Sequence, residues 1–126
     1  MLPATPKPGS YPRPPAAIPH GRLDEVPNGA RVTVAGLVLV RQRPGTARGV
    51  IFITLEDETG VANVVVWKAL YERYRRAVIA GRLLRVTGKL QRESGVAHVI
   101  ADKIEDLSHL LDMLLQPENS PHPERQ

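Results

Sequence analysis

The central part of the chain carries three runs of β-branched and apolar residues that predict β-strands. They occupy positions 31–41, 50–55 and 61–67. The polar stretch 56–60 between the second and third runs is short and ends in glycine, so these two strands are predicted to form an antiparallel hairpin. Gly36 interrupts the first run, which indicates a bulge or sharp bend in that strand.

The period of the pattern changes after Trp67. Large apolar residues now recur at three- and four-residue spacing, as on one face of a helix; they are Leu70, Tyr71, Tyr74 and Val78. This spacing predicts a helix over 68–79, and Gly81 is a natural stop signal for it. Two more strands are predicted over 83–90 and 96–104, joined by a turn at 93–95.

The order of elements is therefore three strands, one helix and two strands. Such an order matches the OB-fold, a partly open Greek-key barrel of five strands. We predict an all-β OB-fold with this helix between strands three and four and a short C-terminal helix. A five-stranded SH3-like or split sheet fits the same spacing, but Gly36 lies where an OB barrel bends its first strand.

Proline separates the foldable region from its flanks. Of the 12 prolines, only Pro44 lies between positions 28 and 116. Proline fixes φ and favours extended backbone, so 1–29 is predicted as a disordered Pro-rich segment and 116–126 as a disordered tail. The OB-fold domain is expected over 30–106, followed by a helical segment over 107–115 with an apolar stripe at helical spacing.

Composition excludes several classes of function. The chain has no cysteine, so no disulfide framework, thiolate catalysis or zinc knuckle is expected. The four histidines are scattered and the Asp57–Glu58 pair lies in a turn, so we expect no metal, no cofactor and no catalytic residues. Apolar runs are too short for a membrane span, and prolines break any signal-peptide pattern. A cytoplasmic protein with no membrane partner and no small-molecule substrate is predicted.

Alternation along the hairpin strands defines a candidate binding face. Ile51, Ile53 and Leu55 form one apolar row, whereas the opposite row is mixed. The mixed row of this strand and its partner presents Phe52, Thr54 and Asn63. A phenylalanine ring offers a surface on which a base can stack, and an asparagine amide suits a base edge or sugar hydroxyl. The alternative for Phe52 is a surface aromatic covered by a loop or by the helix.

Positive charge flanks this face. The chain carries 17 Lys and Arg against 13 Asp and Glu, a net charge of +4. Arg41, Arg43 and Arg48 lie at the loop between strands one and two, and Lys89 and Arg92 lie near the loop between strands four and five. Cations on both sides of a stacking surface are typical of phosphate binding. All five therefore join Phe52, Thr54 and Asn63 as predicted nucleic-acid-binding residues.

Several stretches resemble a known family. Residues 34–36, Arg41 and the run 52–64 resemble OB nucleic-acid-binding domains of the anticodon-binding type. The run from Arg43 to Trp67, with 83–93 and 98–101, is more specifically similar to the C-terminal OB domain of error-prone DNA polymerases of the bacterial polymerase III alpha type. The likeness covers roughly residues 30 to 115.

The resemblance implies roles for individual residues. The aromatic at Phe52 and the amide at Asn63 would contact bases, and Arg41 would support the same strand of nucleic acid. Asn63 stands where the tRNA-binding branch commonly has the longer glutamine, which favours sequence-tolerant binding of single-stranded DNA. The palm domain that carries this family's two-metal chemistry is missing, so the chain is expected not to be an enzyme on its own.

Three functions remain in competition at this point. The first is a single-stranded DNA-binding module related to error-prone polymerases, which act in damage-induced mutagenesis and translesion synthesis. The second is an interaction module whose helical segment 107–115 docks on another polymerase or mutasome subunit; the same stripe could instead pack on its own barrel. The third is an RNA- or tRNA-binding domain.

Overall fold

The computed structural model describes residues 11–44 and 49–115, which form a closed five-stranded barrel in the order β1-β2-β3-β5-β4. The strands are β1 (Arg31–Gln42), β2 (Ile51–Asp57), β3 (Gly60–Val66), β4 (Leu83–Glu93) and β5 (Val96–Asp106). Two short helices, α1 (Lys68–Arg73) and α2 (Arg75–Ala80), connect β3 to β4, and α3 (Ser108–Leu115) follows β5. The predicted OB-fold and its element order are confirmed.

Strand β1 changes partner along its length, and this closes the barrel. Its first half, from Arg31 to Leu37, pairs antiparallel with β4. Its second half pairs antiparallel with β2, with a bulge between Val38 and Val40. The β2–β3 and β4–β5 pairs are antiparallel, and β3 joins β5 in parallel. A closed barrel leaves few unpaired strand edges.

The core follows the alternation that the sequence predicted. The row of β2 formed by Ile51, Ile53 and Leu55 is buried, and so is the matching row of β3, which consists of Ala62, Val64 and Val66. Val78 of α2 is buried against the same cluster, and Leu70, Tyr71 and Tyr74 pack against it from outside. The helical connection therefore covers one end of the barrel with the face that its spacing indicated.

Gly36 lies where the backbone of β1 passes close to that of β2. A β-carbon at this position would lie 2.5 Å from the carbonyl oxygen of Glu56, a contact that no side chain tolerates. The bulge itself comes later, between Val38 and Val40. Gly36 therefore permits the close approach of β1 and β2 that precedes the irregularity.

The connecting helix differs from the prediction of one continuous helix over 68–79. The backbone leaves the helical region at Tyr74, where φ is −115° and ψ is 32°, and this residue ends α1 and precedes α2. Tyr74 and Val78 both contact the core, because the Val78 amide still bonds to the Tyr74 carbonyl and their four-residue spacing keeps them on one face.

Residues 11–29 also differ from the expected disorder. The side chains of Ile18, His20, Leu23 and Val26 are buried in the structure, and His20–Glu25 form a 3-10 helix. We call residues 17–26 the N-terminal strap. Positions 1–10 of the predicted disordered segment, and the predicted tail 116–126, lie outside the described residues.

The strap folds because β1 leaves a gap. The first half of β1 pairs only with β4, so its other edge would expose backbone groups. Ala17 forms a parallel bridge with Thr33 there, and the Ile18 amide donates to the Thr33 carbonyl at 2.8 Å. Burial of apolar side chains and satisfaction of a strand edge outweigh the extended bias of the prolines around them.

Polar contacts attach the C-terminal helix α3 to the start of β4. Ser108 Oγ accepts a hydrogen bond from the Arg82 amide at 2.8 Å, and Asp112 pairs with the Arg82 guanidinium at 2.5 Å. Leu110, Met113 and Leu114 remain exposed. No helix in the described part of the chain has the length and hydropathy needed to cross a bilayer.

Candidate nucleic-acid interface

The outer face of β2, β3 and β5 brings together two rows of side chains. Residues directly opposite one another on neighbouring strands point to the same face. Thr54 lies opposite Asn63, which in turn lies beside His98 of β5. In the adjacent row, Phe52 lies opposite Val65, which lies beside Ile100. We call these two rows the outer face.

The outer face combines a stacking surface with hydrogen-bonding groups. Phe52, Thr54, Asn63 and His98 are all half-buried, so each keeps part of its surface accessible to a ligand. Val65 between them is buried and supplies a firm apolar floor. An aromatic ring beside amide, hydroxyl and imidazole groups can stack one base and bond the edge of the next.

His98 is a member of this face that the sequence analysis missed. Its neighbours Ala97 and Val99 alternate with it along β5, and Val99 is buried. That alternation placed His98 on an outer row, but only the parallel pairing of β3 with β5 brings it beside Asn63. Pairing between strands that are distant in sequence leaves no signal in the hydrophobic pattern.

The structure gives Arg41 a different place from the predicted one. It lies opposite Ile53, a core residue, so its side chain leaves β1 on the inner side of the barrel. Its Nε donates to the Val78 carbonyl at 2.6 Å, and an Nη2 contact reaches the Gly81 carbonyl. Arg41 therefore caps the end of α2, while Val40 and Gln42 take the outer positions on β1.

Arg92 is likewise turned away from the outer face. Its guanidinium donates to the carbonyls of Leu23 and Val26, at 2.8 and 2.6 Å. These are carbonyls of the 3-10 helix and of the residue that follows it, so Arg92 secures the N-terminal strap. Lys89 differs: it is exposed and lies opposite Ile100, at the margin of the Phe52 row.

Of the three cations predicted at the loop between β1 and β2, Arg43 is the one among the described residues that lies exposed near the outer face. Arg43 is exposed, and its Cζ lies 4.9 Å from the ring centroid of Tyr71 in α1. Arg48 lies outside the described residues. Of the eight predicted residues, Phe52, Thr54 and Asn63 share the outer face, Lys89 borders it, Arg43 lies at one end, and Arg41 and Arg92 serve the packing of the barrel.

Positive charge is unevenly neutralised over the surface. Arg31, Arg82 and Arg85 each form an ion pair, with Asp102, Asp112 and Glu105 respectively. The hydrogen bond from Arg85 lowers the pKa of Glu105 below its ordinary value. Within the described residues no ion pair involves Arg43, Lys68, Arg73, Arg75, Arg76 or Lys89. Uncompensated charge therefore concentrates around α1, α2 and the end of β1.

The carboxylates near the β2–β3 turn serve the fold. Asp57 accepts hydrogen bonds from the Thr59 amide and hydroxyl, at 2.8 and 2.6 Å, and from the His20 amide at 2.9 Å. Burial raises the pKa of Asp57, but these hydrogen bonds outweigh it and the pKa lies below its ordinary value. Among the described residues, no group of three or more His, Asp or Glu could hold a metal ion.

Residues 32–107 match a family model described as an OB-fold nucleic acid binding domain, of the tRNA anticodon type. The chain is also similar to proteins named error-prone DNA polymerase. It is 61% identical over 106 residues to the protein of Ruegeria pomeroyi and 52% identical over 106 residues to that of Caulobacter vibrioides. Each match covers 84% of this chain and 10% of the relative, so the chain spans about a tenth of these relatives' length.

Solved structures share the fold. Asparaginyl-tRNA synthetase from Pyrococcus horikoshii superposes with a TM-score of 0.54 and 31% identity, over 64% of this chain and 20% of that one. The Stn1–Ten1 complex of S. pombe superposes with a TM-score of 0.52 and 20% identity, over 65% of this chain and 61% of that one. The second likeness shows the fold alone.

Proposed function

Because the chain belongs to the family of OB-fold nucleic acid binding domains, we propose that it binds single-stranded DNA on the outer face. The observation that carries this proposal is the row Thr54, Asn63 and His98 beside Phe52. These side chains come from three adjacent strands and present one stacking ring and three hydrogen-bonding groups on one half-buried surface. Stacking on an aromatic ring tolerates any base.

The similarity to error-prone DNA polymerases supports DNA as the ligand. In this proposal the chain supplies binding of the template strand and no chemistry of its own. It would act in the cytoplasm beside the catalytic and accessory subunits of a polymerase or mutasome assembly, in damage-induced mutagenesis and translesion synthesis. The uncompensated cations at Arg43 and Lys89 flank the outer face and would neutralise phosphates on either side of it.

Fluorescence anisotropy with labelled oligothymidylate tests the proposal. Phe52→Ala removes the ring and should weaken binding about 10- to 100-fold, because stacking contributes roughly 1–3 kcal/mol per base. Leu114→Ala, which trims an exposed side chain on α3, is the matched control and should bind as the unaltered protein does. Absence of binding at low salt, or equal affinity of the Phe52→Ala protein, would refute the outer face as the site.

One observation favours RNA as a second candidate ligand. The asparaginyl-tRNA synthetase structure is 31% identical over the matched part of the chain. Competition between oligouridylate and oligodeoxyuridylate of equal length separates the two ligands, since both strands carry the same base. Stronger competition by the ribose strand would assign the outer face to RNA, because a 2′-hydroxyl contact is the feature that distinguishes the two strands.

A further inference from the structure

The outer face continues past Phe52 to an exposed aromatic residue, Trp67. Its backbone is extended, with φ −76° and ψ 158°, so the alternation of β3 continues and Trp67 shares the row of Asn63 and Val65. Val65 lies directly opposite Phe52. Trp67, two residues further along, is therefore the diagonal neighbour of Phe52, and residues in this relation are roughly 7–8 Å apart. Trp67 is 55% exposed, an unusual position for so large an apolar ring.

Two arginines meet on a second ring one helical turn beyond Trp67. The Cζ atoms of Arg43 and Arg75 lie 4.9 and 5.2 Å from the ring centroid of Tyr71. Tyr71 is half-buried and packs against the core, so its ring is a fixed support. A guanidinium over an aromatic face keeps its N–H donors in its own plane, where they can bond a phosphate.

A third cation, Lys68, lies on α1 three residues before Tyr71, a spacing at which side chains are neighbours on a helix surface. Lys68 is exposed, and its β-carbon would lie 3.1 Å from a β-carbon placed at Gly49, so the end of the β1–β2 connection passes against α1. The end of β1, α1 and α2 thus each contribute one cation to a small area. Within the described residues, no carboxylate forms an ion pair with Arg43, Lys68 or Arg75.

The arrangement has the two components that a single strand requires. Trp67 offers a ring for a base, and the three cations offer charge for the phosphates that follow it. Arginines elsewhere in the barrel are used differently, since Arg31 and Arg85 are paired with carboxylates and Arg41 is bonded to backbone carbonyls. Positive side chains that lie close together around Tyr71 without carboxylate partners favour the binding of an anion.

We propose that Trp67 and Lys68, together with Arg43 and Arg75 held on the Tyr71 ring, form a second subsite for single-stranded DNA. The strand leaves the outer face at Phe52, stacks its next base on Trp67 and lays the adjoining phosphates along α1. This inference rests on the proposed function and extends it by giving the path that the strand follows beyond the outer face.

Trp67 is the only tryptophan in the chain, so its fluorescence reports this subsite directly. Oligothymidylates of about two and about twelve nucleotides separate the two sites, because two bases fill the two rows of the outer face, whereas the longer strand lies within the range that one OB fold covers. Binding of the longer strand should quench the tryptophan emission, and a strand of equal length with abasic sites in place of its bases should bind with little quenching. The shorter strand, held on the outer face, should leave most of the emission unchanged.

Paired variants test the cations. Arg75→Gln and Arg76→Gln remove equal charge from adjacent exposed positions, but only the Arg75 guanidinium lies on the Tyr71 ring. Arg75→Gln and Trp67→Ala should each reduce affinity for the longer strand about tenfold and leave the shorter strand unaffected. Arg76→Gln should change affinity for the longer strand by less than about twofold, because its side chain leaves α2 about 100° further round the helix axis and does not lie on the Tyr71 ring.

The outcomes separate this inference from the proposed function. Tight anisotropy binding of the longer strand with unchanged tryptophan emission and unchanged affinity of Trp67→Ala would overturn the second subsite and leave the outer face standing. Equal losses of affinity in Arg75→Gln and Arg76→Gln would mean that the strand responds only to the overall positive charge. That result would also overturn the second subsite. Failure of both strands to bind would remove the proposed function itself.

Discussion

At the scale of single residues, whether an arginine can reach the outer face depends on the direction in which its side chain leaves the strand. Arg41 and Gln42 are neighbours in sequence, yet Gln42 lies opposite Phe52 on the outer face and Arg41 lies opposite the buried Ile53. The sequence placed Arg41 near the correct loop. Its role changed because one step along a strand moves a side chain to the opposite face.

Arg41→Ala should therefore affect stability and leave binding intact. It removes the donors for the carbonyls of Val78 and Gly81, and we expect the free energy of unfolding in urea to fall by about 2 kcal/mol. Arg76→Ala, which removes an exposed guanidinium from α2, the helix whose end Arg41 contacts, is the control and should change stability little. If Arg41→Ala left stability unchanged and weakened oligonucleotide binding, Arg41 would be a nucleic-acid-binding residue, as the sequence predicted.

Asp57 provides a second residue-scale prediction, a dependence of stability on pH. Its folded-state pKa is lowered, so below the ordinary pKa of about 4 the unfolded chain binds more protons and stability falls as pH decreases. This stabilisation is fully present above that pH and is lost as the pH falls through the folded-state pKa. Urea titrations between about pH 6 and 3 should show a steeper loss for the unaltered protein than for Asp57→Asn. Parallel curves for the two proteins would contradict the assignment.

At the scale of elements, the strands and the apolar face of the helical connection were predictable, because each depends on alternation within a short segment. The row Ile51, Ile53 and Leu55 is a clear example. Gly81 was predicted correctly as the end of the helix, but for a different reason. It is extended, with φ −65° and ψ 137°, and a β-carbon there would lie 2.6 Å from the Ala77 carbonyl.

The N-terminal strap was not predictable from local composition. Prolines around Ile18 and Leu23 indicated disorder, while the reason for order lies on the unpaired edge of β1, at Thr33. The apolar residues Ile18, Leu23 and Val26 recur among those prolines and were the one available signal. Tertiary contacts between segments far apart in sequence decide such cases.

Ile18→Ala tests whether the strap belongs to the folded domain. Ile18 is 1% exposed, and removing its buried methyl and methylene groups should lower the free energy of unfolding by about 2–4 kcal/mol. The matched control is Ile79→Ala on α2, where the same truncation removes a side chain that is 52% exposed. Equal small effects of both substitutions on urea unfolding would show that the strap adds nothing to the stability of the barrel.

At the scale of the whole molecule, closure of the barrel builds the candidate site. The predicted hairpin supplied Phe52, Thr54 and Asn63, but His98 reaches them only through the parallel contact of β3 with β5. Closure also brings carboxylates to particular arginines, as in the pair formed by Arg31 of β1 and Asp102 of β5. The complete topology therefore determines which cations are left without a carboxylate partner. A net charge of +4 alone does not show where they lie.

That distribution predicts how binding depends on salt. The logarithm of affinity for a single strand falls with the logarithm of salt concentration, with a slope of about −0.7 for each phosphate neutralised. Lys89→Gln removes an uncompensated cation at the margin of the outer face and should make the slope shallower by about 0.7. Arg85→Gln removes the same charge from a residue already paired with Glu105 and should leave the slope unchanged. Equal changes in the two variants would mean that net charge, and not its placement on the barrel, governs binding.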